Sequence, residues 1–147
     1  MPVRKEAAAL RQLYVAVAGF ALGVGAFFTF VVPEVAFTVL GPNALGAFLA
    51  AMFPRFYVIA AVLAAAMTVA GSIAFGVGRL ATIAPAVALL LTLIAWIWLL
   101  PLVQAAIGTA AFGFLHGLSL GMDMIAMLLW LVGLVAAWRA KAPAAIR

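Results

Sequence analysis

The chain of 147 residues contains no cysteine, a single histidine and only three acidic residues. The missing cysteines exclude disulfides, thiolate metal sites and a cysteine nucleophile. The single histidine excludes a bis-histidine haem within one subunit. Charged residues make up 7% of the chain and hydrophobic residues 71%, whereas a soluble domain is about 25% charged. Lipid must therefore cover much of the surface.

Recognisable enzyme motifs are also missing from the sequence. It has no glycine-rich phosphate loop, no nucleophile triad and no pair of neighbouring carboxylates. We therefore expect no catalytic residues, no resident metal and no cofactor, and we favour a protein that is not an enzyme. The eight Lys and Arg residues are few and scattered. This pattern argues against a nucleic-acid partner and is typical of topology signals beside membrane spans.

Four apolar stretches are long enough to cross a membrane, which takes about 20 residues. They run from about residue 13 to 32, 56 to 75, 81 to 103 and 110 to 138. The sequence thus predicts an all-α, integral membrane four-helix bundle that forms a single domain over residues 1–147. The basic segment before the first stretch resembles a secretory signal. The apolar run exceeds the roughly 7–15 residues of such a signal, so we expect an uncleaved first helix.

The basic residues are distributed asymmetrically about the predicted spans. If the N-terminus is cytoplasmic, seven of them face the cytoplasm and only Arg55 faces the other side. The positive-inside rule therefore places both termini in the cytoplasm, and we expect the membrane to be a bacterial inner membrane. The seven are Arg4, Lys5, Arg11, Arg79, Arg139, Lys141 and Arg147.

The predicted connections differ in length. A tight turn around Gly76–Gly78 joins the second and third spans, which favours antiparallel neighbours. The connection between the first two spans is long, from residue 33 to 55, and Gly41-Pro42 interrupts it. Residues 44–52 are predicted to form a short helix that either lies in the outer interface or folds back on the bundle. Pro54 suits the first turn of the second span.

Glycines spaced by four residues occur on two predicted helices. In lipid, such small residues let helix backbones approach closely. These glycine faces serve either packing within the bundle, which we favour, or contacts in a homo-oligomer or a larger membrane complex. They comprise Gly19 and Gly23 on the first helix, and Gly113, Gly117 and Gly121 on the fourth.

A candidate polar site lies on the fourth predicted helix, and one further acid, Glu34, follows the first helix. His116 and Asp123 are seven residues apart and lie within about 20° on one stripe, with Ser119 about 60° away. Ionisable groups at membrane depth are costly and usually face the bundle interior. We therefore predict a polar pocket between the fourth helix and the first two, with His116 facing inward. The stripe is either a proton, ion or cofactor site or a set of packing hydrogen bonds.

Three segments resemble characteristic blocks of a known family. Residues 112–119 read Phe-Gly-Phe-Leu-His-Gly-Leu-Ser, and residues 52–57 read Met-Phe-Pro-Arg-Phe-Tyr. The first is similar to a Phe-x-x-Leu/Tyr-His-Gly-hydrophobic-Ser signature, and the second to a Leu-Phe-Pro-x-aromatic-aromatic block. Residues 23–37 more loosely resemble a glycine-rich first helix with aromatics. These blocks belong to the transmembrane protein 205-like family, also called domain of unknown function 4149, in which Asn commonly stands where this chain has Asp123.

The resemblance implies a four-helix membrane protein and carries no reaction with it. It adds Phe53, Pro54, Tyr57 and Gly117 to the positions of interest. We expect a small multi-pass membrane protein that acts in membrane transport or homeostasis, or as an accessory subunit of a membrane complex. The alternative is a haem- or metal-binding membrane redox protein that uses His116, with a dimer interface as the place of the site.

Overall fold

The computed structural model describes residues 2–75 and 79–140, and every regular element in this part of the chain is a helix. Two of the helices continue through a wider π-helical turn into a short following helix. The elements in chain order are α1 (Pro2–Ala26), a π turn (Phe27–Val31), α2 (Val32–Val39), α3 (Pro42–Phe75), α4 (Leu80–Ile94), a second π turn (Ala95–Leu99), α5 (Leu100–Ala105) and α6 (Phe112–Arg139).

Four helical stretches within the described residues are long and apolar enough to span a membrane. We call them spans 1 to 4, and they cover Ala8–Val39, Ala44–Phe75, Leu80–Ala105 and Phe112–Arg139. The predicted all-α membrane bundle with four helices is therefore confirmed. The predicted turn at Gly76–Gly78 and the basic residues Lys141 and Arg147 lie outside the described residues.

Spans 1 and 3 run past prolines that would normally end a helix. The prediction that span 1 ends at residue 32 is wrong, because the helix continues to Val39. Each π turn ends two residues before a proline, Pro33 in span 1 and Pro101 in span 3. A proline ring clashes with the carbonyl four residues earlier in a regular α-helix. The wider turn before each proline relieves that clash, and so both spans continue.

Residues 44–52 do not form a separate interfacial helix. They are the first turns of α3, which runs unbroken from Pro42 with Pro54 in its interior, so the predicted helix start at Pro54 is also wrong. The chain breaks instead at Leu40, whose backbone is extended. Just after these turns, the Phe28 ring of span 1 lies against Phe53 and stacks on Phe56.

Both ends of the described chain lie at one end of the bundle. The Arg11 guanidinium donates to the carbonyl oxygens of Ala137 and Trp138 at 3.1 and 2.9 Å. The last carbonyls of a helix lack intrahelical donors, so Arg11 caps the C-terminus of α6. We call this end, which holds Arg11, Arg79 and Arg139, the basic end.

Arg55 and His116 lie at the opposite end of the bundle. At 1.5 Å per residue, Arg55 lies about 30 Å from the basic end of α3, and His116 about 35 Å from the basic end of α6. A hydrocarbon core is about 30 Å thick. Both residues therefore lie near the second membrane interface, which we call the far end. Exposed Trp98 lies towards the far end and exposed Trp138 at the basic end, as expected for aromatic belts.

At the basic end, a tyrosine of span 1 and a proline of span 3 together create a hydrogen bond between the two spans. In α4, Pro85 has no N–H to offer the carbonyl of Ala81 four residues earlier. The buried Tyr14 hydroxyl donates to that oxygen at 2.6 Å. A Cβ added at Gly133 would come within 2.6 Å of the Tyr14 hydroxyl, and one at Gly71 within 2.6 Å of the Ala81 oxygen. Gly71 therefore requires glycine, whereas a larger residue at Gly133 would push the Tyr14 hydroxyl away from its acceptor.

The glycines that pack inside the bundle are not the predicted ones. In addition to Gly71 and Gly133, Gly25 is buried, against Met127 and Trp130. The five glycines of the spaced pattern are exposed, and an added Cβ at any of them would meet no described atom within 4 Å. The prediction that these faces pack within the bundle is therefore wrong. The outward set is Gly19, Gly23, Gly113, Gly117 and Gly121.

Candidate functional site

Three polar side chains meet between spans 2 and 4, just inside the far end. The Tyr57 hydroxyl lies 3.1 Å from the Ser119 hydroxyl and donates to Oδ2 of Asp123 at 3.3 Å. Tyr57 is fully buried, Ser119 is 8% exposed and Asp123 is half-buried. The candidate site thus combines two hydroxyls and a carboxyl group in a nearly dry environment.

An aromatic cluster fixes the position of Tyr57. Its ring lies 5.5 Å from that of Phe56 and 6.5 Å from that of Phe53, and Phe28 of span 1 stacks on Phe56 at 4.1 Å. The sequence folds this way because residues 53, 56 and 57 share one side of α3 at helical spacing. The cluster leaves the Tyr57 hydroxyl one direction in which to find partners, towards α6.

The hydrogen bonds of the candidate site have one consistent direction. A tyrosine hydroxyl has a single proton to donate, and a serine hydroxyl donates or accepts. Because Tyr57 donates to Asp123, Ser119 is the donor to the Tyr57 oxygen. The result is a chain from Ser119 through Tyr57 to the carboxyl group. Such a chain both holds two helices together and offers a path for a proton over a short distance.

A small cavity of about 10 Å³ adjoins the site on the side of span 3. Thr92 and Trp130 contribute its other polar groups, beside Tyr57 and Asp123. Thr92 already donates to the carbonyl of Ala88. The indole N–H of Trp130 is buried and has no hydrogen-bond partner within the described residues. A cavity of this size has room for about one water molecule and not for an organic substrate.

The structure separates His116 from the other two predicted site residues. Ser119 and Asp123 turn inward, but His116 is exposed and its ring stacks on Phe112 at 5.4 Å. The predicted inward orientation of His116 is wrong, and His116 takes no part in the polar site inside the bundle. The predicted pocket also lies elsewhere, because spans 2, 3 and 4 line it rather than spans 1, 2 and 4.

The separation comes from the positions of the residues along the α6 axis and not from the directions in which they point around it. His116 and Asp123 lie on one stripe, but His116 is about 10 Å closer to the far end. There α6 has few neighbours, and most residues from Gly113 to Gly121 are exposed. A helical stripe is buried only where another helix lies beside it.

The other positions of interest have varied surroundings. Phe53 and Pro54 are half-buried in α3. Gly117 on α6 and Glu34 on α2 are exposed. Among the residues that the structure describes, no three His, Asp or Glu side chains group closely enough to hold a metal ion.

Sequence reasoning did not find the partner of Asp123. Tyr57 entered only through the family resemblance, and the signal available was its hydroxyl in an otherwise apolar span. Thr92 and Trp130 carried a similar signal, since buried polar groups in lipid require partners. The acceptor of the Tyr14 hydrogen bond was predictable from the sequence. A proline four residues after a helical carbonyl leaves that carbonyl without its usual donor, and Pro85 does this to Ala81.

Four apolar spans and a small interior polar cluster define a multi-pass membrane protein with a helical bundle. The chain belongs to the DUF4149 family, whose domain of unknown function matches residues 16–111, about two thirds of its length. The match includes the Tyr57 block and the first-helix block but ends before the 112–119 segment. No curated protein and no solved structure matches the chain.

Proposed function

We propose that the protein is an accessory subunit of a larger membrane assembly, which it contacts through the first half of α6. The observation that carries this proposal is the outward glycine face of Gly113, Gly117 and Gly121. In lipid, helices associate through small residues that allow close backbone approach. Within the described chain, no other helix uses this face.

The composition around the glycines supports the same proposal. The exposed imidazole of His116 lies on this half of α6, and the neighbouring Phe114 is 74% exposed. A partner helix would cover the ring of Phe114 and offer His116 a hydrogen-bond partner near the membrane interface.

A Gly117→Leu variant tests the proposal. The new side chain would point into open space, so the monomer should fold normally while the close approach of a partner helix is blocked. The measurement is size and composition after purification in mild detergent. We expect the wild type to purify with a partner or as an oligomer, and Gly117→Leu to lose that association.

Gly46→Leu is the matched control, because Gly46 is also exposed with no described atom within 4 Å of an added Cβ. It should retain the association. A wild-type protein that is monomeric and without a partner in both mild detergent and lipid would contradict the proposal.

The same preparation addresses the redox alternative. A visible absorption band and bound metal that both disappear in His116→Phe would favour a ligand at a shared interface.

In the proposed orientation, the protein lies in a bacterial inner membrane with the basic end and both termini on the cytoplasmic side. It is supported by Arg11, Arg79 and Arg139 at the basic end and by Arg55 as the only basic residue at the far end of the described chain. Reporter fusions at the C-terminus and within the loop between α5 and α6 test it. A periplasmic signal from the C-terminal fusion would reverse the orientation.

A second candidate function is a role in proton-linked transport or homeostasis, which the Ser119–Tyr57–Asp123 chain favours. An Asp123→Asn variant keeps an acceptor for Tyr57 but cannot release a proton. Reconstitution in vesicles with a pH-sensitive dye compares it with the wild type. Equal proton flux from both proteins would exclude this role.

A further inference from the structure

A groove runs along the outside of spans 1 and 2 and has a volume of about 520 Å³. Its floor is formed by Gly19 and Gly23, where an added Cβ would meet no described atom within 4 Å. Phe20 and Phe27 stand on the α1 side, and Phe56 and Ile59 on the α3 side. The groove is almost entirely apolar along its length.

One polar group lies in this groove, at its far end. Arg55 lines the groove there and is exposed. Its guanidinium donates to the carbonyl oxygen of Ala51, one turn nearer the start of α3. The side chain therefore extends away from the membrane centre, as long basic side chains do near an interface. This brings a positive charge to the level of the lipid headgroups.

The dimensions of the groove match one lipid leaflet. From Val32 to Gly19 the groove follows 13 residues of span 1, which corresponds to about 20 Å at 1.5 Å per residue. One leaflet of a 30 Å core is about 15 Å deep. The groove thus begins beside the headgroups of the far leaflet and ends near the bilayer midplane.

We infer that this groove binds one phospholipid of the far leaflet, with its phosphate on Arg55 and one acyl chain against Gly19 and Gly23. A guanidinium forms strong, charge-assisted hydrogen bonds with phosphate oxygens. The glycine floor lets a flexible chain lie below the level of the flanking phenyl rings. The inference goes beyond the proposed function and does not depend on it.

A second helix fits the groove less well than an acyl chain. In lipid, close helix packing uses small residues at the contact. The Gly19–Gly23 stripe is interrupted one turn later by Phe27, which is exposed. An acyl chain bends past that ring, whereas a helix, about 10 Å across, does not.

The experiment is native mass spectrometry of the full chain in detergent with added phosphatidylglycerol or diacylglycerol. We expect the wild type to retain one phosphatidylglycerol and to bind diacylglycerol more weakly. Arg55→Gln should weaken phosphatidylglycerol binding about tenfold, because it removes one charge-assisted contact, and should leave diacylglycerol binding unchanged. Gly23→Leu should remove both, because its side chain fills the floor of the groove.

Two controls separate this inference from the proposed function. Arg79→Gln removes an exposed charge at the basic end, and Gly121→Leu fills open space on the α6 face. Both should bind lipid like the wild type, while Gly121→Leu should disturb the partner contact and Gly23→Leu should not. Only variants whose thermal unfolding temperature matches that of the wild type are compared, because a matching temperature shows that they have folded.

Two results would overturn the inference. One is equal phosphatidylglycerol binding by the wild type, Arg55→Gln and Gly23→Leu. The other is a change from oligomer to monomer in Gly23→Leu with lipid binding intact, which would assign the groove to a second copy of the chain.

Discussion

At the basic end, side chains from span 1 reach carbonyl groups on two other spans, and glycines bring the backbones close. At the far end, the contacts are aromatic rings and one chain of three hydrogen-bonding side chains, and Gly113 and Gly117 face outward. The same residue type therefore serves opposite purposes in one molecule. Glycine inside the bundle makes the fold, whereas glycine on its outside leaves surfaces open.

The difference follows from which carbonyls without a helical donor lie within reach of a side chain. Pro85 frees the carbonyl of Ala81 for Tyr14, and the end of α6 frees the carbonyls that Arg11 binds. Both acceptors lie at the basic end. At the far end, Tyr57 finds side-chain partners instead, and these are able to rearrange. We expect the basic end to carry more of the stability, and four predictions test this.

The largest effect is expected from Gly71→Val. Its Cβ would lie 2.6 Å from the Ala81 carbonyl, which is backbone and cannot move aside. Overpacking of this kind should lower the free energy of unfolding by about 3 kcal/mol. Denaturation in mixed detergent and sodium dodecyl sulfate, followed by circular dichroism, measures it. The matched control Gly121→Val should change it by less than about 0.5 kcal/mol. Equal losses would remove the distinction between inward and outward glycines.

The next effect concerns Tyr14→Phe, which leaves the Ala81 carbonyl buried without a donor. The expected loss is about 1–2 kcal/mol. In a Pro85→Ala background, the new alanine supplies the missing N–H within α4, so the same substitution should cost less. A double-mutant cycle by the same denaturation measures the coupling. Additive losses would show that Pro85 has no part in the tie.

A smaller effect is expected from Tyr57→Phe, about 1 kcal/mol. Ser119 is then free to donate to a carbonyl of its own helix, as serine in a helix often does, which limits the loss. The Tyr57→Phe and Ser119→Ala losses should be less than additive, because each breaks the same bond. A Tyr57→Phe loss larger than that of Tyr14→Phe would reverse the ranking of the two ends.

The smallest effect is expected from Arg11→Met, which keeps an apolar stem and removes the cap on α6. Because one of its two hydrogen bonds is exposed, we expect a loss of about 0.5 kcal/mol. Added salt should reduce the difference from the wild type. Arg79→Met is the control, with no expected loss. A loss above that of Tyr14→Phe would make Arg11, rather than the Tyr14 contact, the main tie at the basic end.

Much of the candidate site was predictable, and one residue shows why the rest was not. Ser119 and Asp123 were placed correctly on an inward stripe because helical phase follows from sequence spacing alone. His116 shares that phase and still faces outward, because its neighbours are missing at that height. The glycines show the same limit. Gly19 and Gly23 have the spacing of a packing motif, yet isolated Gly71 and Gly133 make the close contacts.

The sequence by itself determined that this is a membrane protein with four spans, since apolar length is a local property that needs no partner. It also determined the asymmetry of the basic residues and the prolines that interrupt regular helix. Only the tertiary structure decided which glycines face inward, that α3 absorbs the predicted short helix, and that Tyr57 rather than His116 is the partner of Asp123. Each of those depends on which helix lies beside a given turn, and no single helix encodes its neighbour.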